Sequence, residues 1–240
     1  MNAGNGIVVG ASSGIGRALT ERLAVAGSTL TALSRRGVTP GVDSALVYAR
    51  KADIRDFSAL VAEISAAKDR HGVSFVVNCV GVGYYAPIGA DYAEAWTEIL
   101  TTNVVGVLNL LSAVDTVLTD LDRFVHVSSI AAHTVSRVPG NICYSVSKAA
   151  ARTIVEEYRR TLHEQGRPTR VSMVSPGFVE DTDFGVNFFA RAPQAVAFDP
   201  YAQRTNLQAA DVASTIMQIL AQPPKIEIAD VVLLPKEHSK

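Results

Sequence analysis

The sequence predicts one α/β domain, doubly wound around a mostly parallel central sheet of about seven strands. Three observations carry that expectation. Short, β-rich apolar runs alternate with longer amphipathic stretches from one end of the chain to the other. The first of these runs opens directly into a glycine-rich turn followed by a helical pattern. A length of 240 residues, 48% hydrophobic and 19% charged, fills one core well and is short for two ordinary domains. No repeat or low-complexity linker divides the chain, so the domain is expected to run over 1–240.

The elements follow in order. GIVVGA at 6–11 is a strand-length apolar run, and the stretch near 14–26 behind it has a helical apolar stripe. STLTALS at 28–34 is the second strand, and 36–43, which bears Gly and Pro, reads as a loop because both residues interrupt periodic structure. SALVYA at 44–49 is the third strand, and a helix near 56–70 leads to VSFVVNC at 73–79. A long amphipathic stretch at 93–118 precedes FVHVSS at 124–129. Helix 144–165, strand TRVSMVS at 169–175, helix 209–221 and strand IADVVLLP at 228–235 complete the series.

Composition excludes several classes of function. A formal net charge of −1 with no polybasic run argues against a nucleic-acid surface. The longest apolar runs are strand-sized, short of the roughly 20 residues of a membrane span, and MNAGNG lacks the charged and greasy parts of a secretion signal. Cys79 and Cys143 are too few for a metal site. A disulfide between them stays open, with reduced thiols in a cytoplasmic protein the simpler reading. The histidines at 71, 126, 133, 163 and 238 show no close ligand spacing, so no metal is expected.

Chemistry concentrates at a few places. In VVGASSGIGRAL, glycines 10, 14 and 16 permit a tight turn and close backbone approach, and the helix start behind them offers unpaired N–H groups to a pyrophosphate. Gly10, Ser12, Ser13, Gly14, Ile15 and Gly16 form that candidate cradle. The second strand ends in Ser34-Arg35-Arg36, with no carboxylate for a ribose hydroxyl and two guanidinium groups suited to a 2′-phosphate. NADP(H) is therefore favoured over NAD(H), the alternative being arginines that merely solvate a loop. Asp53, followed by Ile54, has two readings: a carboxylate accepting from the adenine amino group, or a cap for the helix beginning near Asp56. Tyr144 and Lys148 stand four residues apart, so on a helix they share a face.

Taken together, GASSGIG at 10–16, Asn78 in NCVG, Asn103 in TNVVG, Ser129 in VSSIA, YSVSK at 144–148 and SPGFVE at 175–180 occur in the order expected of the short-chain dehydrogenase/reductase family. The chain resembles that family over essentially its full length, and in particular its NADP-dependent, carbonyl-reductase-like members. The resemblance implies a Rossmann-type domain in which Asn103, Ser129, Tyr144 and Lys148 form a catalytic tetrad. Tyr144 would give a proton to a carbonyl oxygen, its pKa of about 10 lowered by Lys148 and by the oxidised nicotinamide. Lys148 would also hold the nicotinamide ribose, Ser129 would bind the substrate oxygen, and Asn103 would position a water connected to Lys148. Asn78, Pro176, Gly177, Val179 and Thr182 join the expected cofactor contacts.

The chain departs from the family pattern at several points. Val9 stands where the family has Thr, and Cys79-Val80 stand within its usual NNAG. The segment between Ser129 and Tyr144 is two residues longer than usual, which leaves Ser128 as an alternative to Ser129. Thr182 arrives one residue later after Pro-Gly than the familiar threonine, and the C-terminal strand lacks a Gly-rich ending.

Substrate is expected beyond the strand C-terminal ends, against residues 83–85, 130–143 and a lid over about 178–207. The candidate pocket residues are Tyr84, Tyr85, His133, Phe184 and Phe188. His133 is also readable as an ordinary loop residue. The five aromatics of residues 181–201 within the lid, Phe184, Phe188, Phe189, Phe198 and Tyr201, favour an apolar carbonyl compound or secondary alcohol. Helices 93–118 and 144–165 resemble the family's dimerising pair and imply a homodimer or homotetramer. The expected activity is NADPH-dependent, reversible reduction of a ketone or aldehyde. The alternatives are a 3-oxoacyl thioester reductase and a non-catalytic NADP(H)-binding regulator.

Overall fold

Seven strands pair in parallel throughout the computed structural model, which describes residues 4–38, 41, 45–134, 140–190 and 205–236. They are β1 (Gly6–Val9), β2 (Leu30–Ser34), β3 (Val47–Lys51), β4 (Phe75–Asn78), β5 (Arg123–Val127), β6 (Arg170–Pro176) and β7 (Asp230–Leu233), in the sheet order β3-β2-β1-β4-β5-β6-β7. Every residue of β1, β2, β4, β5 and β6 is buried, which explains why these runs are apolar without alternation. The winding reverses between β1 and β4. A crevice therefore opens beyond their C-terminal ends, where the glycine turn lies.

Helices cover both faces. α2 (Phe57–His71), α4 (Gly106–Val117) and α5 (Ile142–Glu164) bury Leu60, Ile64, Leu110, Val114 and Val155 against Ile7, Val76 and Phe124. On the other face α1 (Gly14–Val25) and α7 (Ala209–Leu220) bury Leu19, Leu23, Val212 and Ile216 against Val8, Val77 and Val125. Ala90–Val117 is long and apolar enough by composition to cross a membrane, but half of its apolar window is buried, the pattern of a core helix.

Three boundaries differ from the sequence reading. The third strand starts three residues and ends two residues later than expected, at Val47–Lys51. Its Val47 pairs with Leu30, and it is an edge strand with exposed positions that blur the apolar signal. The expected helix 93–118 is broken into α3 (Ala93–Leu100), a π turn over Thr101–Val105, and α4. The expected lid contains a helix, α6 (Asp183–Ala190), that the sequence reading did not mark. Residues 191–204 of that lid, with Phe198 and Tyr201, lie outside the described residues, as do 135–139 of the loop before α5.

At the N-terminal end of the sheet, register neighbours Arg123 and Arg170 close the joint between α7 and β7. Arg170 Nη1 donates to the carbonyls of Gln222, Pro223 and Ile226 at 3.2, 2.8 and 3.1 Å, and its Nη2 to Asp122 Oδ1 at 2.6 Å. Arg123 also donates to Gln222 O.

Candidate active site

A cleft of about 1290 Å³ runs along the C-terminal ends of the strands, from Arg35 and Arg36 at one end to Tyr84 and Phe188 at the other. Its first wall is the glycine turn. Gly10 has φ +88°, a left-handed conformation that favours glycine. A Cβ at Gly16 would fall 2.3 Å from Gly10 O, so Gly16 is where α1 packs onto the turn, and it does not itself line the cleft. Ser13 caps α1 without a side-chain hydrogen bond and no acidic residue stands in the first turn, which leaves that helix start suited to an anion. Ser12, Ser13, Gly14 and Ile15 line the cleft here.

At the end of β2, Ser34, Arg35 and Arg36 line the same cleft. Arg36 Nη2 donates to Ser12 Oγ at 3.0 Å and to Ser12 O at 3.3 Å, laying a guanidinium across the glycine turn. Asp53 and Ile54 line the adjoining wall. Asp53 does not cap α2: Asp56 does, its Oδ1 accepting from Ala59 N at 3.0 Å. Asp53 instead receives Arg55 N, Nε and Nη2 at 2.9, 3.0 and 2.6 Å. The Arg55 hydrogen bonds hold its carboxyl below the usual range, with Arg35 adding in the same direction. Asn78, expected to touch cofactor, is fully buried beneath the cleft. Its Oδ1 accepts from Val80 N at 3.0 Å and its Nδ2 meets His126 Nδ1 at 3.2 Å, so it shapes the turn that carries Val80.

Tyr144 and Lys148 occupy the cleft floor, one turn apart on α5, with Lys148 Nζ 5.8 Å from the phenol ring centroid. Lys148 is 4% exposed and donates to Val127 O at 3.2 Å. Burial lowers its pKa from 10.5 to about 8, so the ammonium gives up its proton closer to neutral pH than a free lysine does. Burial pushes the nearby Cys79 thiol up to about 12, away from thiolate chemistry. Asn103 lies inside the π turn and ties three elements together. Its Oδ1 accepts from Val82 N at 2.9 Å, and its Nδ2 donates to Val82 O at 2.8 Å and to Ser147 Oγ at 2.9 Å. Ser147 Oγ in turn donates to Tyr144 O at 2.7 Å. Asn103 thus sits behind the lining, 2% exposed, bracing Tyr144's helix.

Ser128 and Ser129 both line the cleft past the end of β5. Ser129 Oγ accepts from Ala131 N at 3.1 Å and its own proton has no acceptor among the described residues, whereas Ser128 Oγ is buried with no partner among them. Pro176, Gly177, Val179 and Thr182 form the facing wall. Thr182 Oγ1 donates to Val179 O at 3.1 Å, and its Cγ2 lies 3.1 Å from where a Gly14 Cβ would stand, so this wall touches the glycine turn.

At the far end, Tyr84, Phe184 and Phe188 line the cleft. Tyr84 Oη donates to Glu98 Oε1 at 2.7 Å. Tyr85 and His133 do not line it. The Tyr85 ring packs over Gly140 and edge-on to Tyr92, with centroids 6.1 Å apart. His133 turns toward β6 and β7, with Nε2 2.9 Å from Ser175 Oγ and 3.5 Å from Asp230 Oδ2. Thr102, Phe178 and Asn141 line the cleft without having been singled out, although Asn141 stands in the PGN run and Phe178 in SPGFVE.

Comparison with known proteins gives consistent relatives. A short chain dehydrogenase family model matches residues 5–192. The chain is 27% identical over 242 residues to a farnesol dehydrogenase of Aedes aegypti, covering 95% of this chain and 94% of the relative. It is 26% identical over 249 residues to dehydrogenase/reductase SDR family member 11 of Gallus gallus, covering 97% and 96%. Among solved structures it is similar to the closed form of a serine dehydrogenase complexed with NADP+, with a TM-score of 0.82, 23% identity and coverage of 96% and 94%. A short chain dehydrogenase from Burkholderia cenocepacia in complex with NADP shares the fold with a TM-score of 0.78, 23% identity and coverage of 97% and 90%.

Proposed function

The chain belongs to the short-chain dehydrogenase family, and from that premise we propose that it is an NADPH-dependent oxidoreductase that reduces a largely apolar ketone or aldehyde to the alcohol, reversibly. One observation carries the proposal: Tyr144 and Lys148 stand together on the floor of a cleft that also holds the glycine turn and two arginines. The residues fit a phosphorylated dinucleotide. The glycine turn gives it backbone clearance, the α1 start faces its phosphates, and Arg35 and Arg36 supply cations where a 2′-phosphate needs them. The NADP complexes among the relatives support the same choice.

When bound, the reduced dinucleotide supplies a hydride. The chain's own residues do the rest. The Tyr144 phenol gives its proton to the carbonyl oxygen, and the Lys148 charge one turn away stabilises the phenolate left behind. Ser129, whose oxygen already accepts from Ala131 N, directs its proton at the same substrate oxygen and offsets the charge growing there. Asn103 keeps Tyr144 in register through Ser147.

The basic side chains among the described lining residues are Arg35, Arg36 and Lys148, none at the Tyr84–Phe184 end, which disfavours a long anionic thioester. The intact set Asn103, Ser129, Tyr144 and Lys148 disfavours a binding protein without turnover. Exposed Leu100, Val105 and Leu108 on α3, the π turn and α4, with Ile142 and Val146 on α5, suit a homo-oligomeric contact. The two free thiols suit a reducing, cytoplasmic setting. Absorbance-monitored oxidation of NADPH and NADH across aromatic ketones, small aldehydes, cyclic diketones, hydroxy-ketones and 3-oxoacyl thioesters tests the proposal. NADPH consumption on the apolar carbonyls is expected. Preference for NADH removes the role given to Arg35 and Arg36, and fastest turnover of the thioesters overturns the substrate class.

A further inference from the structure

We propose that His133, which does not line the cleft, is a positioning residue for the reduction: through Ser175 and Asp230 it fixes the turn that carries Ser129 against the Pro176–Gly177 wall. This rests on the carbonyl-reductase reading and adds to it the part that sets where the substrate oxygen is held. The bond His133 makes spans two walls of the cleft. Ser129 leaves β5 in extended backbone, and one short helical turn over Ile130–Ala132 carries the chain to His133, whose N donates to Ile130 O at 2.9 Å. Ser175 is fully buried, and the two residues after it, Pro176 and Gly177, line the facing wall. Backbone pairing between β5 and β6 runs out at Ser128, whose N donates to Val174 O at 2.8 Å. Beyond it, among the described residues, the 2.9 Å contact of His133 Nε2 with Ser175 Oγ is the hydrogen bond that joins the two segments.

The hydrogen bonds run in one direction. Ser175 Oγ gives its single proton to Asp230 Oδ1 at 3.1 Å, so toward His133 it can only accept, and His133 Nε2 carries the hydrogen. Asp230 Oδ2 lies 3.5 Å from the same nitrogen and 4.0 Å from Nε of Arg152, one helical turn past Lys148 on α5. β7 thus anchors both walls, because Gly177 N donates to Leu233 O of the same strand at 2.8 Å. The trio is not a nucleophilic triad: Ser175 is fully buried, and its proton goes to the carboxylate rather than to the imidazole. Its work is to hold a distance. A hydroxyl that must meet the carbonyl oxygen while a hydride reaches the carbon tolerates little slack, and misplacement by about 1 Å can cost about a hundredfold in rate.

The test cuts the link at two residues and restores it at one. With NADPH and the carbonyl of the panel above that the unaltered enzyme turns over fastest, His133→Ala and Ser175→Ala should each lower kcat about tenfold, with KM and the NADPH dissociation constant changed less than about twofold. His133→Gln, which sets an amide N–H near the place of Nε2, should recover most of the loss. Adding His133→Ala to Ser129→Ala should cost less than about a further twofold, because the group being positioned is already gone. In the cofactor-free protein the Ala131 amide, which donates to Ser129 Oγ, should exchange its hydrogen about tenfold faster in His133→Ala than in the unaltered chain. Full kcat in both alanine variants, no recovery in His133→Gln, an unchanged Ala131 exchange rate, or a full additional loss on the Ser129→Ala background overturns the inference and leaves the reductase reading standing. No turnover across the whole panel by unaltered enzyme that binds NADPH in a calorimetric titration overturns both.

Discussion

The two ends of the sheet solve opposite problems with the same strands. At the N-terminal end, Arg123 and Arg170 reach across to the carbonyls of Gln222, Pro223 and Ile226 and close the joint between α7 and β7. At the C-terminal end, Ser128, Thr102 and Asn141 line a cleft of about 1290 Å³, each with a side-chain oxygen buried behind the lining and without a partner among the described residues. Side chains that bond distant carbonyls hold a fold together; side chains that line an open cleft are placed to meet a ligand. A single sheet thus separates stability from chemistry along its strand direction, because loops at the C-terminal ends diverge from the reversal between β1 and β4.

If that division holds, changes at the two ends should have separable effects. The largest is expected at the open end. Tyr144→Phe should lower kcat/KM about a thousandfold while NADPH binding and melting temperature stay near the unaltered values; ordinary turnover in that variant would remove Tyr144 as proton donor. At the closed end, Arg170→Met should cost about 3 kcal/mol of stability in urea unfolding, with turnover per folded molecule unchanged. A kinetic loss in that variant without a stability loss would break the comparison.

Two titrations sharpen it. Lys148 has a pKa of about 8 in the fold and 10.5 as its ordinary value. Below the lower value both states carry the charge, and the fold bears a cost on the order of 3 kcal/mol. Between the two values the unfolded chain still holds the proton that the fold has released, so this cost fades as pH rises. Lys148→Met should therefore melt higher than the unaltered cofactor-free protein near neutrality, with the gap closing toward pH 10.5; a gap that does not change with pH contradicts the cause. The smallest effect belongs to His126, fully buried on β5, where burial first and the Lys148 charge second depress its pKa from 6.5 to about 3. The unfolded chain binds that proton and the fold refuses it, so stability falls as pH drops below 6.5. His126→Gln should remove about 2 kcal/mol of that acid sensitivity near pH 5, read as a flatter dependence of melting temperature on pH.

Much of the fold was legible because its signals are local. Central strands buried on both faces must be apolar throughout, so β1, β4, β5 and β6 stood out as runs. The edge strand VYARK is only partly buried, and its signal drifted toward the more apolar SALVYA. The π turn at Thr101–Val105 was hidden because TTNVV carries no breaker. What accompanies the bulge is Asn103 reaching Val82, 21 residues away, and Ser147, 44 residues away. In the site, glycine spacing and the Tyr144–Lys148 interval were readable for the same local reason, whereas the directions of Tyr85 and His133 were not. Tyr85 is drawn aside by Gly140 and Tyr92, and His133 by Ser175 and Asp230, contacts the residues around them do not announce.

By itself the sequence determined the glycine turn after the first strand, the paired arginines after the second, and a tyrosine and lysine one helical turn apart. Each is set by backbone geometry over a few residues, and short-range geometry survives in any surrounding. Only the tertiary structure decided that Asn78 and Asn103 stand behind the lining, that Asp53 pairs with Arg55, and that the Asn141 side-chain oxygen is buried without a partner among the described residues. Burial and hydrogen-bond partnership depend on segments that meet from distant parts of the chain, and no window of sequence contains both sides of such a contact.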